Sequence, residues 1–212
     1  MAVSLDALEP RAALVEIARD FHARGWMSGT GGNLSARADH GHFWITASGK
    51  AKGRLDADDF LLVGVVDGAV VERRRASDQP SAETGIHAAI YRRFPDAGAC
   101  LHGHSVAGCT VTHRVKHGAH GLRLPAVEMI KGFDIWTSRP KIDLPLFENL
   151  PDVSRIAAAI EARFRKRPPP LTALLVREHG PTVWGTSLQT AYNRFETLDF
   201  LLQIAVALPR SR

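Results

Sequence analysis

The chain has 212 residues, 45% of them apolar and 23% charged, and 27 Lys and Arg against 22 Asp and Glu give a net charge of +5. That length buries a core without staples, and two cysteines, Cys100 and Cys109, exclude a disulfide-rich secreted scaffold while leaving one disulfide possible. The basic residues cluster at Arg73–Arg75, Arg92–Arg93 and Arg163–Arg167, not along one stripe, which argues against a nucleic-acid surface and leaves a mild steering field for small anions.

The opening MAVSLDALEP has neither a basic region nor an apolar run, so a cytoplasmic location is expected. Leu198–Leu208, the longest apolar stretch, is too short to cross a bilayer, and no membrane association is expected. No repeat or long linker divides the chain, so one domain over 1–212 is expected.

Leu8, Ala12, Val15, Ala18 and Phe21 recur at helical spacing and predict a helix over 6–24, ended by Gly25. A polar glycine-rich loop follows, Ser28 to Asn33. Strands are expected at Phe43–Ala47 and Phe60–Val66, the second turning through Asp67-Gly68 into Ala69–Glu72. Ser81 is a good N-cap for a helix carried by Ile86, Ile90 and Phe94. A strand over Ala97–His102 leads to His104, and a helix covers Val106 to His113. Further strands are expected at Leu124–Val127 and Ile142–Phe147, the latter at an edge or irregular because of Pro145. Asp152 caps an amphipathic helix through Val153, Ile156, Ile160 and Phe164, and RKRPPP at 165–170 stops it. Strands at Thr172–Val176 and Thr182–Trp184 precede a last helix capped by Ser187. This mixture of hairpins and helical crossovers predicts an α/β fold, a three-layer α/β/α sandwich on a mixed sheet.

Ten histidines stand out in this composition. His102-Gly103-His104 ends an apolar strand, where residues i and i+2 share a side, so two imidazoles can hold one metal ion. Two polar residues at a strand's end read equally well as solvent-facing. His179 also ends an apolar strand and is also followed by glycine; three imidazoles with an open fourth position suit a catalytic zinc. His113, His117 and His120 lie in a loop-like stretch and His40 and His42 flank a turn. His22 and His87, within helices, are expected at the surface or partly buried.

Three segments suit an anion. Thr30, Gly31, Gly32 and Asn33 offer approachable backbone N–H groups, Ser48, Gly49 and Lys50 add a hydroxyl and a cation, and Ser81 sits at a helix start. The glycine loop has neither a P-loop ending nor a preceding strand, so it is not a nucleotide fingerprint. Two carboxylates are candidates for proton transfer, Glu83 and Glu128, though each reads equally as a cap or a surface ion pair.

Gly31-Gly32-Asn33-Leu34-Ser35, Thr46-Ala47-Ser48-Gly49, Pro80-Ser81-Ala82-Glu83, His102-Gly103-His104 and His179-Gly180 come in an order and spacing that resembles the class II aldolase/adducin family, over about residues 10–207. Three longer segments, Glu128–Gly132, Leu144–Asn149 and Leu174–Gly185, resemble the family's dehydratase branch. The resemblance implies a mostly antiparallel central sheet and one Zn(2+) per subunit on His102, His104 and His179. It implies Glu128 as proton donor and acceptor, with Glu83 at the position that serves as acid/base in the aldolases. It implies a small phosphorylated ketose as substrate, a homotetramer with sites near subunit interfaces, and lyase chemistry. An aldolase or epimerase acting on another ketose phosphate, such as fuculose 1-phosphate, is the alternative, and a binding module like the adducin heads is a further one, expected to have a degraded triad. Trp26, Met27, Phe133 and Trp136 are candidates for an apolar subsite.

Overall fold

Helix α1 runs over Pro10–Ala23, after a 3-10 turn at Leu5–Ala7. The Glu9 carboxylate caps it by accepting the Arg11 and Ala12 N–H groups, and Gly25 ends it at φ 75°, where Trp26 N–H returns to the Phe21 carbonyl at 2.8 Å. In the computed structural model, which describes residues 4–209, the remaining helices are α2 (Thr84–Arg93), α3 (Val106–Thr112), α4 (Val153–Lys166) and α5 (Leu188–Ala207). Residues 1–3 and 210–212, included in the expected 1–212 domain, lie outside the described residues.

The strands are β1 (Asn33–Arg37), β2 (His42–Thr46), β3 (Phe60–Gly64), β4 (Val70–Glu72), β5 (Ala99–His102), β6 (Gly121–Arg123), β7 (Asp143–Phe147), β8 (Ala173–Val176) and β9 (Gly180–Gly185). They form one sheet in the order β4-β3-β2-β1-β5-β9-β8-β7-β6. Every neighbouring pair is antiparallel except β7 with β8.

Strand alternation separates two cores. Ala99, Leu101, Ala173, Leu175 and Val183 face α1, α3 and α5, whereas Cys100, Leu174, Val176 and Trp184 face α2 and α4. The three-layer α/β/α sandwich is therefore observed, and its sheet is mostly antiparallel. Among the described residues no helix is long and apolar enough to cross a membrane.

The departures from expectation have local causes. β1 falls where a loop was expected to give way to no strand at all. The Ser81 N–H is held by the Thr46 carbonyl at 3.1 Å, and Ser81 opens a turn, its Oγ accepting the Glu83 N–H at 3.3 Å, before α2 begins at Thr84; Glu83, not Ser81, is its N-cap residue. The strand expected at Leu124–Val127 lies at Gly121–Arg123, ahead of Pro125. Pro145 sits in β7, second from the sheet's edge, opposite Gly121 of the short β6. Both Cys100 and Cys109 are free thiols, so the possible disulfide is absent. Of the candidates for an apolar subsite, Trp26, Met27 and Phe133 are core residues and Trp136 is exposed.

Candidate metal centre

The centre of the sheet brings three distant segments to one end. β1 and β9 flank β5 in the register Asn33↔His102 and His102↔Thr182. The start of β1 and the turn before β9 therefore both meet the end of β5. His102 shares the side of Cys100, the face covered by α2, so the residues that open α2 lie over it. The segment before α2 is tied to the end of β2 through Ala47↔Pro80 and a 2.8 Å bond from Ser48 N–H to the Gln79 carbonyl.

Glu83, His102, His104 and His179 each turn one ligand atom into this corner, all within 4.8 Å of one another. The imidazole centroids are 4.9, 5.0 and 4.6 Å apart in the three pairs. His102 Nε2 and His104 Nε2 approach to 3.0 Å, and His179 Nε2 lies 2.9 Å from Glu83 Oε1. His102 Nδ1 sits 2.9 Å from the Pro181 carbonyl, so it is the protonated nitrogen and the Nε2 lone pair faces the cluster. Two imidazole nitrogens facing each other at that distance, with a carboxylate alongside, form a donor set that fits a divalent ion. His104 and His179 are only partly buried, so the cluster opens outward on their side.

Glycines make this convergence possible. A Cβ on Gly103 would meet Phe195 Cζ at 2.8 Å and the Trp26 carbonyl at 3.0 Å, so the side opposite the imidazoles is packed. Gly180, at φ 154°, lies where a Cβ would come within 2.2 Å of the Gly103 carbonyl. His179 itself belongs to the turn between β8 and β9, stapled by its neighbour Arg177. That buried guanidinium donates to the carbonyls of Thr112, Val115 and Lys116 and to Glu148 at 3.1–3.2 Å. Arg177→Met would take that donor from all three carbonyls, leaving Thr112 and Lys116 only the N–H groups of Val115 and Ala119, and a loss of about 2–4 kcal/mol in denaturant unfolding is expected. An unchanged midpoint would show that the clamp is replaceable.

Electrostatics favour neutral rings at His102 and His104 and a charged carboxylate at Glu83. Burial pushes His104 down to about 4, reinforced by His102 and His179, and burial lowers His102 as well. Burial pushes Glu83 up, but His102, His179 and the Asn33 amide outweigh it and hold the carboxyl well below its usual range. His87, wholly buried, is pushed down to about 3, first by burial and then by His102. A histidine whose folded value lies below its unfolded value binds fewer protons when folded, so stability falls as pH drops from about 6.5 toward that folded value. For His87 the slope is about 1.4 kcal/mol per pH unit across that window. Urea unfolding of metal-free protein should thus show lower stability at pH 5 than at pH 7; equal stability would contradict the burial of a neutral ring.

Of the anion segments, the glycine loop reaches the same corner. A Cβ on Gly31 would meet His104 Nδ1 at 2.9 Å, so the glycine loop lies against the cluster, and the Gly29 carbonyl accepts Lys52 N–H at 2.9 Å. Thr30, Ser48 and Gly49 are exposed, Gly32 is buried and Ser81 is half-buried. The Lys50 ammonium is already paired, 2.8 Å from Asp78 and 3.3 Å from Asp59, and the Asp78 bond first of all holds its pKa up. The Asn33 side chain is committed to Glu83 and His87. Glu128 stands outside the cluster, exposed in a 3-10 segment (Glu128–Phe133) and bonded to Lys131 at 2.7 Å.

Two residues near the cluster were not singled out from sequence. Lys52 is 2% exposed, donates to the Lys50 carbonyl at 3.1 Å, and its charge bears on His104. His87 was expected at the surface or partly buried and is wholly enclosed. Its signal was the spacing Glu83 to His87, one helical turn on the same face.

A fold of this topology with such a donor set is that of a metal-dependent sugar-phosphate lyase family. The family model described as Class II Aldolase and Adducin N-terminal domain matches residues 12–206, and the chain belongs to that family. It is 47% identical over 199 residues to a methylthioribulose-1-phosphate dehydratase of Microcystis aeruginosa, covering 94% of this chain and 96% of that one. It is 42% identical to the protein of that name in Acidiphilium cryptum, over 98% of this chain and 95% of the other. Among solved structures, YgbL of Escherichia coli superposes with a TM-score of 0.77 at 28% identity, over 95% of this chain and 90% of YgbL. The L-fuculose-1-phosphate aldolase of Thermus thermophilus gives 0.72 at 26%, over 93% and 92%.

Proposed function

We propose that this protein is a zinc-dependent hydro-lyase that converts 5-methylthioribulose 1-phosphate to 5-methylthio-2,3-dioxopentyl phosphate and water, a step of methionine salvage. The observation that carries this reading is the convergence of His102, His104 and His179 with Glu83, in a chain 47% identical to a dehydratase of that name.

The three imidazoles would hold the ion, with their Nε2 atoms turned inward. When bound, zinc supplies a Lewis acid that polarises a carbonyl oxygen. The reaction removes the proton at C3 and the hydroxyl at C4 of the ketose, and the resulting enol rearranges to the diketone. Glu83 lies among the ligands, where its carboxylate would be the proton acceptor. Glu128 is the second proton carrier of the proposal, exposed outside its own chain's cluster. A homotetramer belongs to the same proposal, with sites close to subunit contacts that such an exposed group can serve. Thr30, Gly31, Gly32, Ser48, Gly49 and Ser81 would hold the phosphate through backbone N–H groups and hydroxyls. Asn33 and Lys50 act in support there, through the partners they already have. One domain over 1–212 and a cytoplasmic location complete the reading.

Ultraviolet detection of diketone or enol from methylthioribulose 1-phosphate tests it, with aldehyde release from fuculose 1-phosphate run beside it. Diketone without aldehyde is expected. Aldehyde without diketone would move the protein to the aldolase branch.

A further inference from the structure

Behind Glu83, away from the open side of the cluster, lies a run of polar groups that the reaction itself does not require. Glu83 Oε2 accepts from Asn33 Nδ2; Asn33 Oδ1 faces His87 Nε2 at 2.5 Å; His87 Nδ1 faces Ser35 Oγ at 2.6 Å; and Ser35 Oγ faces the Tyr91 hydroxyl at 2.8 Å. All five side chains are buried, Ser35 and His87 wholly so. No water is needed to complete the run, because each group meets its neighbour directly.

The protons in this run can be placed. A carboxylate only accepts, so the Asn33 amide must turn its NH2 to Glu83 and its oxygen to His87. That oxygen needs a donor, so His87 must carry its proton on Nε2. Nδ1 then accepts, and the Ser35 hydroxyl donates to it. Tyr91 donates to Ser35 in turn. The opposite direction fails at one point: a His87 protonated on Nδ1 would present a lone pair to Asn33. The amide would then flip and set Oδ1 against the Glu83 carboxylate, oxygen against oxygen, in a buried place.

We infer that His87 is a positioning residue for the dehydration: its Nε2–H locks the Asn33 amide, which tethers Glu83 Oε2 beside His102 and leaves Oε1 turned to His179. The Glu83 carboxylate selects that tautomer through the Asn33 amide, and Ser35 accommodates it, its hydroxyl turning to Nδ1 from the other acceptor in reach, the Cys100 carbonyl at 3.2 Å. The inference rests on the reading of Glu83 as an acting group in the proposed reaction. Outer groups that orient the groups around a metal typically change activity about 10–100-fold when lost.

The test uses the full-length, zinc-loaded protein. Long-range nitrogen–proton spectra of histidine-labelled protein should show His87 as the Nε2–H tautomer. The Asn33 side-chain NH2 should show one proton shifted strongly downfield. His87→Asn keeps an acceptor toward Ser35 but cannot reach Asn33, whereas the longer amide of His87→Gln supplies a donor where Nε2–H was. His87→Asn should lose the shifted Asn33 proton and lower kcat about 10–100-fold with zinc content and KM little changed. His87→Gln should restore both. An Nδ1–H tautomer, an imidazolium, or a folded His87→Asn with kcat within about twofold of the parent would overturn the inference. Should His87→Asn not fold, the spectra of the parent decide. Those spectra also read the relay independently of turnover: the Nε2–H tautomer in a protein inert toward methylthioribulose 1-phosphate would defeat the proposed function and leave the relay standing.

Discussion

His102→Ala is expected to bring bound zinc from about one ion per chain to a small fraction of that, and to cut diketone formation by about a thousandfold or more. The effect should be large because His102 is the most deeply buried ligand, 3% exposed, and the one whose tautomer is set by the backbone through Pro181. Alanine removes the donor and leaves a void between β1 and β9 that no neighbour can fill with another nitrogen. The fold should persist, since the strand pairing of β5 uses backbone groups. Elemental analysis with circular dichroism reads both consequences. Full zinc content in the variant would mean that the ion sits elsewhere, and the proposed lyase site with it.

Glu83→Gln is expected to keep zinc and lose turnover, by about 100–10,000-fold in kcat. The amide is isosteric with the carboxylate and can still face Asn33 and His179, but it cannot take a proton. The loss should therefore appear in kcat far more than in KM. Zinc stoichiometry measured on the same sample separates two roles. If the ion departs with the charge, Glu83 is a ligand and not the proton carrier. If zinc stays and the rate stays, proton transfer belongs to Glu128, whose own Gln variant should then be the inactive one.

How far these residues could be read from the chain depended on whether their partners were local. His102, His104 and His179 were legible because each ends an apolar run and each is followed or separated by glycine. The fold class was legible because helices α1, α4 and α5 carry clear periodicity and good caps at Asp152 and Ser187. β1 was not. Leu34 and Ala36 face one core, while Ser35, between them, points into the other and is satisfied there by His87 and Tyr91. A short strand with a buried hydroxyl has no alternation of apolar and exposed residues to detect. His87 was misplaced for the same reason: the groups that bond its ring on both sides, Asn33 and Ser35, come from β1. Ser81 looked like a cap because its type is right; its N–H is held by Thr46, a partner 35 positions away that spacing alone does not reveal. Lys50 and Lys52 differ in a way sequence does not show either, since Asp59 and Asp78 claim the first and burial encloses the second.

The most direct measurement of the central claim is zinc-edge X-ray absorption on the purified protein. Three imidazole nitrogens at about 2.0–2.1 Å, with an oxygen completing the shell and no sulfur, is the predicted result. A shell with fewer than three imidazoles, or one containing the sulfur of Cys109, would contradict it.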